Sequence, residues 1–278
     1  MSAFYKAHYG PADAALVLAG DVTATDARKL AEKYFGSWTG TASAALSLPA
    51  APAPQPTHVV IVDKPGAPQT ALFAFGTGVP ANSPELPAVG VANYVLGGSF
   101  ASRINMNLRE MHGYTYGANS RYQTYRTGGV FAAGGLVRTN VTADAAKEMM
   151  TEIRSFPSHP PTDEELSAAK TASIQSLPGR FETVGATADA VGSIFLYERP
   201  LDYYAALPAK YAAVTSTDVA KVAQENLHPD QLVIVAAGDR TKIEPGLKEA
   251  GLGPVEVRDI NGTLVTTPAG QPGGSGGK

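Results

Sequence analysis

Apolar residues fall into short blocks along this chain, and their spacing alternates between strand-like and helix-like periods. "AALVLAG", 14–20, is a continuous apolar run that predicts a short buried strand. It follows a helix end at 3–9 and a "GPAD" turn. Thr23 can cap the next helix with Asp26 as partner. Leu30, Ala31 and Tyr34 give that helix an apolar stripe, and Gly36 ends it. "HVVIVDKPG", 58–66, and "TALFAFGTGV", 70–79, read as strands. Helical spacing covers 84–96 and 99–112, with Gly97-Gly98 as the break and Gly113 as the stop. "YTYGANSRYQTY" and "GGVFAAGGLVRT" predict paired strands joined through Arg126-Thr127-Gly128. A helix at 142–156 follows, then one opened by a Thr162–Glu165 capping box. Pro178-Gly179 interrupts, and helices are expected at 180–197, 201–212 and 216–226. The strand "QLVIVAAG", 231–238, and a helix at 241–250 complete the pattern.

Two stretches carry no such period. Residues 39–57 are uncharged and rich in Ala, Pro, Ser and Thr, as in an extended linker. The chain closes with "PAGQPGGSGGK", a composition that cannot bury a core. The pattern therefore divides the chain into 1–40, a linker at 41–57, a main domain at 58–258 and a disordered tail at 259–278.

The two ends of the pattern echo each other. "HYGPADAALVLAGDVTATDARKLAEKYFG" and "ENLHPDQLVIVAAGDRTKIEPGLKEAGLG" both run turn, strand, Gly-Asp, helix, Gly. Pro11 matches Pro229, Gly20 matches Gly238 and Asp21 matches Asp239, at a constant offset of 218 (238 − 20). Strand–Gly-Asp–helix is a common arrangement; read as a repeat, the match implies a duplication in which about 57–258 is one whole copy and the first forty or so residues are the closing part of another. The chain is then expected to be one domain plus the tail of a preceding one.

Composition narrows the chemistry. Of 278 residues, 44% are hydrophobic and 17% charged, enough for a sizeable core. A net charge of −3 with no basic stripe gives no footprint for nucleic acid. No apolar run reaches the roughly 20 residues of a membrane helix, and "MSAFYKAHYG" has no signal-peptide core. The absence of cysteine excludes disulfides and thiol nucleophiles. The five histidines, His8, His58, His112, His159 and His228, include no pair three or four residues apart, so no helical metal face is available.

The densest chemistry lies in "LREMHGYTYG", 108–117. Arg109 falls in the last turn before Gly113, where a cation suits the helix dipole. His112 reads as a helix-end residue rather than a ligand or base. Tyr114 and Tyr116 share one face by strand alternation, so spacing alone does not choose between them. Glu164 and Glu165 suit a helix N-terminus, Asp21 and Asp239 suit turns, and "SRYQTYR", 120–126, reads as a solvated hairpin, with a place lining a peptide cleft as the alternative.

Several stretches together resemble one family. "FYKAHYGPADAALVLAGDV", "NYVLGGSFASRINMNLREMHGYTYGANS" and "VTSTDVAKVAQENLHPDQLVIVAAGD" are similar to pitrilysin/insulinase-like zinc metallopeptidases, also called inverzincins, over roughly residues 3–258. The resemblance implies an α+β fold, a mixed or antiparallel sheet covered by helices on one face, forming one half of a clamshell. The family's first domain carries H-x-x-E-H for zinc, with the Glu as general base. That motif is absent here, so the resemblance implies no cofactor in this chain and zinc in a partner domain or subunit. The second, non-metal domain supplies an Arg and, seven residues on, a Tyr that bind the peptide and stabilise the transition state. The matching positions are Arg109 and Tyr116. The implied function is the non-metal half of a peptidase, inactive alone, with the H-x-x-E-H half and a peptide substrate as partners. The alternative is a non-catalytic scaffold subunit of the same fold. Relatives of this kind imply a periplasmic or secreted location.

Overall fold

The computed structural model describes residues 1–40 and 53–266. Most of the expected linker and the end of the expected tail lie outside these residues. Contacts divide the chain into two compact units, one from Met1–Ala53 with Gln175–Ala206 and one from Pro54–Ile174 with Leu207–Lys278. The helices are α1 (Ser2–His8), α2 (Ala24–Phe35), α3 (Leu86–Asn93), α4 (Arg103–Asn105), α5 (Thr142–Ser155), α6 (Asp163–Gln175), α7 (Val184–Leu196), α8 (Tyr203–Ala213), α9 (Ser216–Asn226) and α10 (Arg240–Glu249). The strands are β1 (His58–Asp63), β2 (Gln69–Gly78), β3 (Thr115–Tyr125), β4 (Gly128–Arg138), β5 (Val233–Gly238) and β6 (Val255–Arg258).

All six strands belong to the larger unit and form one sheet in the order β3-β4-β2-β5-β1-β6. β5 runs antiparallel to β2 and parallel to β1, which is also parallel to β6. The sheet is therefore mixed, as an α+β fold allows. Val59, Ile61, Leu72, Ala74, Phe131, Ala133, Ile234 and Ala236 alternate onto one buried face. Met149, Met150 and Ile153 of α5, Val219 and Val222 of α9, and Ile243 and Leu247 of α10 complete that core. Each large side chain sealed there contributes about 1.5–3 kcal/mol.

The expected hairpin forms as β3 and β4, turning at Arg126-Thr127. The capping box at α6 also forms: the Thr162 N–H donates to Glu165 at 2.9 Å and the Glu165 N–H to Thr162 at 3.2 Å. Thr215 and Asp218 build another at α9, which the sequence pattern did not single out. The strand β6 was also missed, because "VEVR" is too short for alternation to declare itself. Beyond Arg258 the chain stays ordered by hydrogen bonds to Val265, whose N–H donates to the Val257 carbonyl at 2.8 Å. The expected tail therefore begins with a hydrogen-bonded turn at Asp259–Thr263.

The smaller unit departs from the pattern. Residues 14–20 form no strand, and Leu16 and Leu18 are exposed. A strand is held by a neighbour's backbone, and none pairs with this run among the described residues. The later echo, β5, has neighbours on both sides. The α2 helix forms with Thr23 as its cap, accepting from the Asp26 N–H at 3.1 Å. In its stripe Ala31 is half-buried, while Leu30 and Tyr34 are exposed. Gly36 follows the helix in right-handed geometry rather than by a left-handed cap. The echo does hold at Pro11 and Pro229, each of which opens a short 3-10 turn. Asp239 caps α10 by accepting from the Thr241 N–H, the local role expected of it.

Candidate functional site

The segment between α3 and β3 does not form the two plain helices that the spacing predicts. The α3 helix runs on into a wider π-type turn at Tyr94–Gly98, and α4 into another at Met106–Met111. Gly97 permits the first. A Cβ there would lie 2.5 Å from the Ser120 backbone nitrogen, so only glycine lets the turn press against β3. In the second turn the His112 N–H donates to the Asn107 carbonyl, five residues back, at 3.2 Å. An inserted residue of this kind offsets the side chains around it, and such turns recur at functional sites.

Arg109 sits within that second turn. Its guanidinium carbon lies 4.3 Å from the centre of the Phe100 ring, and its Nε lies 3.3 Å from Glu110 Oε1. The side chain is about one-third exposed. Gly113 then takes φ +60°, and the Tyr114 N–H closes back on the Leu108 carbonyl at 2.8 Å.

Tyr116 is placed by a bulge. Thr115 pairs with Val137 and Ala118 with Gly135, so Tyr116 and Gly117 together oppose Leu136. The extra residue interrupts alternation. Ala118 and Ser120 return to the core face, while Tyr116 is 90% exposed on the face that carries Leu136. The expectation that Tyr114 and Tyr116 share a face is thereby corrected. Tyr114 packs against the core and stacks on His112 at 4.9 Å. Tyr114 lies ahead of the strand, which begins at Thr115, and the Gly113 turn ties it to Leu108, so strand alternation does not reach it.

No hydrogen bond, ion pair or ring contact joins Arg109 to Tyr116 among the described residues. They project from opposite ends of the Gly113 turn. His112 lies 3.8 Å from Glu148 and caps the turn, as expected of a helix-end residue.

Residues that sequence reasoning did not single out fix this geometry. Asn105 is buried, donates to the Phe100 carbonyl at 2.6 Å and accepts from the Ala118 N–H at 3.0 Å. Asn93 donates to the Ser120 carbonyl at 3.1 Å and accepts from its hydroxyl at 2.8 Å. The two asparagines thus occupy backbone positions on the outer edge of β3. Asn107, also buried, donates to Glu148 at 3.2 Å and Glu152 at 2.8 Å, while its Oδ1 has no partner among the described residues. Arg103 forks onto Glu165 at 2.9 and 2.7 Å and donates to the His159 carbonyl at 2.8 Å. The Arg103 pair holds the Glu165 carboxyl below its usual range. Burial pushes the Tyr122 phenol up, where its ring lies 5.0 Å from Phe131. Three asparagines inside an apolar helical stretch were the available signal, since that residue disfavours helix interiors.

Among the described residues no group of three or more His, Asp or Glu could hold a metal ion. No helix among them is long and apolar enough to cross a membrane.

Comparison with known families matches residues 1–173 to the peptidase M16 inactive domain, more than half of the chain. The chain belongs to the peptidase M16 inactive-domain family. The crystal structure of an M16 inactive domain from Pseudomonas fluorescens is 25% identical, with TM-score 0.70 over 79% of this chain and 52% of that one. A Helicobacter pylori protease is 21% identical, with TM-score 0.67 over 79% and 54%. A protein provisionally described as a zinc protease from Bordetella pertussis Tohama I is 16% identical, with TM-score 0.53 over 60% and 92%. The chain spans about half the length of the first two. No match was found among curated proteins. The α+β M16 fold expected from the resemblance is therefore the observed one. The match to the inactive domain fits the missing H-x-x-E-H motif.

Proposed function

We propose that this M16 inactive domain is the peptide-binding, non-metal half of a zinc metallopeptidase. The half that bears H-x-x-E-H, in the same polypeptide or a separate subunit, would supply the zinc and the attacking water. The observation that carries the reading is the bulge that presents Tyr116 outward within the same segment that holds Arg109. A bulge that re-aims one side chain is a feature of site margins. An exposed tyrosine gains nothing from packing, whereas its hydroxyl is a neutral donor on a rigid stem.

In this reading Tyr116 donates a hydrogen bond to the peptide carbonyl as negative charge builds there. Arg109, permanently charged and planar, binds a neighbouring backbone carbonyl. Stacking on Phe100 restrains it before the peptide arrives. Loss of one such donor typically costs about 10²–10³ in rate. Neither residue is a nucleophile or a base. A periplasmic or secreted location belongs to the same proposal.

The asparagines on β3 limit how a peptide can bind. Strand addition along positions 118–120 would have to displace Asn105 and Asn93 from the edge. The peptide is therefore held by side chains here, and strand addition falls to the other half. The test mixes this chain with the H-x-x-E-H half and measures peptide cleavage for wild type, Arg109→Ala and Tyr116→Phe. Strong loss of turnover in folded variants supports the proposal, and unchanged turnover removes both residues from the site.

A further inference from the structure

Within the larger unit, helices α5, α9 and α10 cover one face of the sheet, and Tyr116 lies on the other. Register defines that second face. One rung runs Asn119, Gly134, Phe73, Val235, Val60; the next runs Arg121, Ala132, Phe75, Val233, His58. A third joins the Tyr116–Gly117 bulge to Leu136 and Ala71. The middle of the face is apolar. Phe73 and Phe75 stand 6.0 Å apart, and Leu136 is 52% and Val130 37% exposed. Gly134, at φ +148°, and Ala132 leave low ground between the two phenylalanines and the polar residues of β3.

The charge on this half of the face has one sign. β2, β3 and β4 contain no Asp or Glu. Arg121 and Arg138 both alternate onto the outer face, both are exposed, and neither is ion-paired among the described residues. The chain as a whole carries a net charge of −3, so a purely basic half-face runs against its average.

We infer that the β2-β3-β4 face opposite the helices binds an extended peptide that carries acidic residues among bulky apolar ones. Apolar side chains settle over Phe73, Phe75 and Leu136, and carboxylates meet Arg121 and Arg138. Exposed apolar surface that is rimmed by polar residues marks an interaction site, and charge of one sign selects the partner. The inference rests on the reading that Tyr116 faces the peptide, and it adds the peptide's class. Lipid is the less favoured occupant, because Asn119, Gln123 and the pleated edge interrupt the apolar area.

The test uses the full chain alone, so it does not depend on the metal half. Two fluorescein-labelled peptides of equal length and apolar content, one with Glu and one with Lys at the charged positions, are titrated by anisotropy. The acidic peptide is expected to bind more tightly, and more weakly as salt rises. Arg121→Glu with Arg138→Glu should weaken it about tenfold and reverse the preference. Leu136→Asp should weaken the acidic peptide, and circular dichroism checks that each variant is folded. Equal binding of the two peptides, no binding, or an unchanged preference in the double variant overturns the inference. Loss of turnover for Tyr116→Phe together with an unreversed charge preference would leave the site standing and remove only the peptide class.

Discussion

The Thr115 hydroxyl donates to the Leu136 carbonyl at 2.6 Å and accepts from the Gly117 N–H at 3.1 Å. One side chain thus ties both sides of the bulge that turns Tyr116 away from the core. Thr115→Val keeps the shape and removes both bonds. It is expected to cost about 1–2 kcal/mol, or ~2–8 °C in Tm. In the reconstituted enzyme it should lower turnover while leaving Arg109 in place. Thermal melts and turnover measured on the same preparation check both.

Gly135 guards the same bulge from β4. A Cβ there would meet the Gly117 carbonyl oxygen at 2.5 Å, a backbone atom that cannot step aside. Gly135→Ala should destabilise the domain by about 1–3 kcal/mol, read as an earlier denaturant midpoint. An unchanged midpoint would mean that the bulge is not constrained as described.

The Arg103–Glu165 pair predicts a pH dependence. Arg103 lowers the folded-state pKa of Glu165 below its ordinary 4.5. A depressed carboxyl contributes stability that is fully present above the unfolded value and is lost as pH falls through the folded one. Glu165→Gln should therefore lower Tm at neutral pH, and the gap to wild type should narrow as pH falls below 4.5 and through the depressed folded-state value. A gap that widens on acidification would contradict the pairing.

Arg240 and Glu244 form a pair at 2.6 Å with both side chains only 8% exposed. Glu244→Ala leaves a buried cation and is expected to cost about 3–5 kcal/mol. Arg240→Met with Glu244→Leu should recover most of that loss, as measured by urea unfolding.

Much of this fold was legible because the alternation of β2, β5 and the β3–β4 hairpin is long enough to outweigh chance. The parallel partnership of β1 with β5 was not, since nothing local links residues 58–63 to 233–238. Residues 14–20 failed for a different reason: an apolar run states that a segment can be a strand, and pairing decides whether it is one. At the site, Arg109 and Tyr116 came from the resemblance alone. Alternation left Tyr114 and Tyr116 equal, and the structure distinguishes them because Tyr114 belongs to the Gly113 turn while Tyr116 stands in β3. Asn93, Asn105 and Asn107 were hidden because the partners that tie them to β3 and α5 lie between 13 and 45 residues away along the chain.

The most direct measurement of the central claim is chelator-sensitive cleavage of a fluorogenic peptide by this chain, by its H-x-x-E-H half and by the two together, with Tyr116→Phe in parallel. The account predicts cleavage by the mixture only, reduced about 10²–10³-fold by Tyr116→Phe. Zinc-dependent cleavage by this chain alone, or full turnover from the Tyr116→Phe mixture, would contradict it.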